Sequence, residues 1–135
     1  MTYHNSKAYT LILRDIERAL PLKDLLVRNN INVIIEPIYT IAPVKFKPID
    51  FNEYQALLIT SVNTIKILAK NTSREEIQKI KTYCVGKVTE KYAKKAGFNC
   101  VKTNATSGET LANEVIKKIK NTNKKILLVG AKNLA

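Results

Sequence analysis

The chain has 135 residues, 45% of them apolar, which is enough to bury a core of one-domain size. No apolar run approaches the ~20 residues that cross a bilayer, and the opening MTYHNSKAYT carries no apolar signal-peptide core, so the expectation is a cytoplasmic protein. The single histidine, His4, and two cysteines, Cys84 and Cys100, provide no material for a metal site or a Ser-His-Asp triad; with no secretory signal, the cysteines read as small buried apolar side chains and not as a disulfide.

Ala8 to Arg14 (AYTLILR) is a short apolar run that predicts a first strand. Leu22, Leu25 and Leu26 follow at helical spacing, with Pro21 at a first-turn position. Asn29-Asn30 predicts the end of that helix, because asparagine tolerates the left-handed conformation. Asn32 to Pro37 (NVIIEP) is β-branched and predicts a second strand. Pro37, Pro43 and Pro48 then bracket an extended connector, since proline does not suit a central strand.

Alternation resumes beyond it. ALLIT predicts a strand, VNTIKILAK a helix, and SREEIQKIK a helix opened by a capping box from Ser73 and Glu76. TYCVG is a strand, KVTEKYAKKAG a helix stopped by Gly97, and FNCVK a strand. SGETLANEVIKKIKN predicts a helix with Leu111, Val115, Ile116 and Ile119 on one face. KKILLVG is a last strand, as apolar as a central one, and no helical pattern follows it. The fold class is therefore α/β, with parallel sheets flanked by helices and right-handed crossovers. The expected organisation is a β-α-β piece of a first domain over residues 1–37, a connector over 38–53, and an incomplete second domain over 54–135.

The net charge of +12 comes mostly from lysine. It is consistent with an acidic partner, but Lys, Asn and Ile are abundant together, as coding bias produces. The lysines are spread along predicted helices, with no basic run interleaved with aromatics, so nucleic acid is disfavoured as a partner, and so is a membrane.

Ligands of open parallel sheets bind beyond the carboxyl ends of the strands. Three such ends carry small or polar residues: Thr60-Ser61-Val62-Asn63, Val85-Gly86-Lys87-Val88-Thr89 and Val129-Gly130-Ala131-Lys132-Asn133. The stretch TNATSG, residues 103–108, would join them on one edge. Helix starts there would offer free backbone N–H groups to anions, with Ser61, Asn63 and Thr89 adding side-chain donors and Lys87 adding charge. Helix capping alone accounts for any single one of these turns; several on one edge point to an anion-binding crevice. The chain has no dinucleotide or NTP fingerprint and no paired carboxylates for acid/base work, so no catalytic residue is indicated.

The ordered series of segments resembles the uroporphyrinogen-III synthase family. The residues that carry the resemblance are the strand ending in Arg14, then NVIIEPIYTIAP, FNEYQALLITSVNTIKIL, YCVGKVTEKYAKKAGFNCV, TSGETLANEV and KKILLVG. The resemblance implies two α/β domains joined by a two-stranded connector, the first domain being built from both ends of the chain. It implies closure of the linear tetrapyrrole hydroxymethylbilane, a polycarboxylate, to uroporphyrinogen III with loss of water and inversion of ring D, without a cofactor. Carried over by position, Ser61 matches the family's serine after the strand, Thr89 the threonine of its VG..T turn and Arg14 the arginine of its N-terminal TRP, while Ser107 and Gly108 fall at the start of the helix facing the cleft. Leu13 and Asp15 depart from the threonine and proline that usually flank that arginine, and Val129 stands where an arginine is usual. Family members run well past the strand matched by KKILLVG, so a separately encoded C-terminal half is an expected partner. The alternatives are a non-enzymatic anion- or nucleic-acid-binding α/β module and a truncated, inactive remnant.

Overall fold

The computed structural model describes residues 8–131, so His4, Lys132 and Asn133 lie outside the described residues. The chain divides into two compact units, residues 1–42 and 43–135.

In the smaller unit, β1 (Tyr9–Ile12), α1 (Ile16–Arg28) and β2 (Asn32–Ile35) form a parallel β-α-β, in register from Tyr9 with Asn32 to Ile12 with Ile35. Asp15 caps α1, its Oδ1 accepting from the Arg18 N–H at 3.1 Å. The helix thus starts five residues before Pro21, which lies inside it rather than in its first turn. The aspartate cap supplies an earlier start than the leucine spacing indicates. Asn30 adopts φ 59°, the left-handed geometry expected just past this helix. Ile12 and Ala19 are buried, whereas Tyr9, Leu11 and Ile34 are exposed on the opposite face of the sheet. A parallel pair is normally covered on both faces; this one shows a bare apolar face.

Residues 36–50 have no regular structure. In the larger unit a short 3-10 turn (Phe51–Glu53) leads into β3 (Tyr54–Ile59). Then follow α2 (Val62–Asn71), α3 (Arg74–Lys79), β4 (Lys81–Cys84), α4 (Lys87–Ala96), β5 (Asn99–Val101), α5 (Gly108–Lys118) and β6 (Lys125–Val129). The four strands pair in parallel in the order β5-β4-β3-β6. Period-2 alternation sends Leu57 and Ile59 to one face, where they pack with Ile65 and Leu68 of α2, Ile77 of α3 and Ala93 of α4. Ala56 goes to the other face, with Tyr83 of β4 and Leu111 and Val115 of α5.

Three local expectations change. Ile116 is 66% exposed and does not join the α5 seam, which Leu111, Val115 and the half-buried Ile119 form against the sheet. Ser73 does cap α3, accepting from the Glu76 N–H, but the Glu76 carboxylate pairs with Lys79 instead of closing the box. β6 pairs only with β3 among the described strands. Its Leu127 and Val129 pack on the core, while Ile126 and Leu128 are exposed.

Candidate anion site at the carboxyl edge

All four strands of the larger unit run the same way, so all four carboxyl ends lie on one edge. From β3 the chain steps to β4 and β5 with its helices on one face; it then returns past β3 to β6 with α5 on the other. The strand order therefore reverses between β3 and β6. In open α/β sheets the ligand crevice forms outside the carboxyl ends at that switch point. Thr60-Ser61 and Gly130 flank it, with the turns after β4 and β5 alongside.

Each helix start on this edge is satisfied differently. Ser61 caps α2: its Oγ accepts from the Asn63 N–H at 3.2 Å, which leaves the hydroxyl proton to donate. Ser61 and Asn63 are half-buried, and Thr60 is exposed. Ser107 caps α5 in a reciprocal box, accepting from the Thr110 N–H at 3.2 Å while the Thr110 hydroxyl accepts from the Ser107 N–H at 3.0 Å. The Ser107 side chain is committed to the helix; the backbone at Gly108, which is exposed, remains. α4 is different again. Gly86 is its N-cap and makes no side-chain capping bond, so the first-turn N–H groups meet no capping oxygen. Lys87 is exposed beside them and Thr89 is buried. Among these three starts, α4 has the most unsatisfied donors to offer an anion, helped by the helix dipole.

The turns are stitched together. The Val85 N–H donates to the Ile59 carbonyl at 3.0 Å and the Gly86 N–H to the Ala105 carbonyl at 2.9 Å. The buried Thr103 hydroxyl donates to the Cys84 carbonyl at 2.7 Å. Nothing local in the sequence marks Thr103 as a strut, because its partner lies 19 residues away. Thr103→Val keeps the shape and removes the donor. It is expected to destabilise by about 1–3 kcal/mol, read as a lower denaturation midpoint at unchanged m-value.

Cys84 is 1% exposed, and its thiol is held well above the usual range by a hydrogen bond with Cys100 and by burial. That is the state of a packing residue and not of a nucleophile. Arg14 is half-exposed at the carboxyl end of β1 in the smaller unit, directly before the Asp15 cap. Ser61, Asn63, Lys87, Thr89, Ser107 and Gly108 all belong to the carboxyl edge of the larger unit. No helix among the described residues is long and apolar enough to cross a membrane.

No curated protein matches the chain. The model of the family described as uroporphyrinogen-III synthase HemD matches residues 21–134, which takes in α1 after its first turn, β2, the connector and the whole larger unit. With that span matched and a parallel α/β sheet beneath it, the chain belongs to the uroporphyrinogen-III synthase family.

Proposed function

We propose that the protein takes part in closing hydroxymethylbilane to uroporphyrinogen III, with loss of the terminal hydroxyl as water and inversion of ring D. The observation that carries this reading is the carboxyl edge, where backbone and hydroxyl donors gather with no acid/base pair among the described residues. Such an edge suits a flexible polycarboxylate that needs to be folded more than it needs proton transfer. In this reading the α4 first turn, with Lys87 and Thr89, holds one carboxylate. Ser61 and Asn63 at the switch point hold another, and the Gly108 backbone beyond Ser107 a third. Held in this way, ring D is turned so that its substituted carbon makes the closing bond.

The apolar faces at Tyr9, Leu11 and Ile34 and at Ile126 and Leu128 are surfaces that the C-terminal half of the family's fold would cover. The experiment supplies hydroxymethylbilane to the protein, alone and with that half, and resolves the products. Isomer III above the spontaneous background is the expected result, with Ser61→Ala lowering the III-to-I ratio. Isomer I alone in both mixtures sinks the proposal.

A further inference from the structure

Among the described residues, most of the positive charge lies away from the carboxyl edge. In a parallel sheet every helix-to-strand connection returns to the amino edge, opposite the crevice. In the larger unit those returns are residues 70–81, 94–99 and 117–125, which carry eleven Lys or Arg against two acids, Glu75 and Glu76. The lead into β3, residues 43–54, is balanced, two lysines against Asp50 and Glu53. Contacts agree with the topology: the α3 residue Arg74 lies beside Gly97, the stop of α4. By contrast, residues 60–63, 85–89, 102–109 and 130–131 of the carboxyl edge carry only Lys87, Lys102 and Glu109. Residues 8–42 of the smaller unit hold four bases and four acids.

Coding bias would scatter lysine over every exposed position, and it does not separate the two edges of one sheet. The helix dipole favours lysine in last turns, which covers Lys70, Lys94 and Lys117. It does not cover Lys81, Lys120, Lys124 or Lys125, which lie outside the helices. Lys79, Lys94 and Lys118 have acidic partners on their own helices, Glu76, Glu90 and Glu114. The segment of residues 117–125 (KKIKNTNKK) holds five lysines and no acid.

We propose that this amino edge, centred on residues 117–125, binds the phosphate backbone of duplex nucleic acid without reading its sequence. Four strands place β5 and β6 about 15 Å apart, a span of about four phosphates along one strand of a duplex. No large apolar side chain is exposed within the three returns. A membrane surface needs an apolar anchor besides a basic patch, and single strands need aromatic platforms. A duplex backbone needs neither. The topology thus gathers on one edge lysines that look dispersed along the sequence.

The test is fluorescence anisotropy of a labelled mixed-sequence duplex with the full chain across a salt series. The logarithm of affinity is expected to fall linearly with the logarithm of salt. Lys124→Gln/Lys125→Gln should reduce that slope by about two and weaken low-salt binding about tenfold. Lys23→Gln/Lys91→Gln removes the same charge elsewhere and should leave the slope unchanged. Absence of binding at low salt, equal losses in the two double variants, or preference for anionic lipid vesicles over the duplex at matched salt overturns the proposal.

Discussion

Leu57→Ala is expected to unfold the larger unit or leave it barely folded. Leu57 is fully buried in β3, the strand between β4 and β6, in register with Thr82 on one side and Leu127 on the other. Its side chain enters the core formed with α2, α3 and α4. Truncation removes buried apolar atoms and leaves a cavity that a pinned central strand cannot close, a loss of about 2–5 kcal/mol. Domains of this size are held by only about 5–15 kcal/mol, and an exposed apolar face leaves this one little reserve. A loss of near-ultraviolet signal and of the cooperative melt is the expected readout. Ile116→Ala, at a surface position of α5, is the matched control and should stay within about 0.5 kcal/mol of the parent. A parent protein with no cooperative melt would instead favour the inactive-remnant reading.

Gly86→Ala has the second-largest expected effect, and its cause differs. Gly86 sits at φ 77° and ψ 148°, a region that essentially only glycine occupies. An added Cβ would meet nothing within 4 Å, so the cost is backbone strain and not collision. It should amount to about 1–3 kcal/mol. Relief of that strain would swing the Gly86 N–H away from the Ala105 carbonyl and tilt the open start of α4. A drop in chemical-denaturation stability is expected together with weaker binding of a polycarboxylate probe. Gly108→Ala, at an ordinary φ with open space around it, should change stability by less than about 0.5 kcal/mol. Equal effects of the two substitutions would contradict the strain argument.

Much of the local structure could be read from local chemistry. Asn30 and Gly97 end their helices with positive φ because their residue types accept it. Ser61, Ser73 and Ser107 cap α2, α3 and α5 because a short hydroxyl side chain reaches the N–H groups ahead of it. Where two local signals compete, the pattern misleads. Leucine spacing points to a start at Pro21, but the Asp15 cap captures the earlier residues. Ile116 fits the helical stripe of α5, yet the sheet below reaches Leu111, Val115 and Ile119 and leaves Ile116 exposed. Glu76 has the right spacing for a capping box, but Lys79 lies one turn on and takes the carboxylate.

The candidate site divides in the same way. The polar strand ends are visible as residue types, because small and polar side chains follow the apolar runs directly. That they share one edge, and that the crevice falls between β3 and β6, follows only from the parallel pairing and the return of the chain past β3. The Thr103 to Cys84 bond and the Gly86 to Ala105 bond join positions 19 residues apart, so no local pattern announces them. The charge shows the same division. Sequence sets the total at +12 and spaces the lysines along the chain. The separation of most of them from the crevice is tertiary, because a parallel sheet sends the helix starts that follow its strands to one edge and the helix ends that lead into its strands to the other.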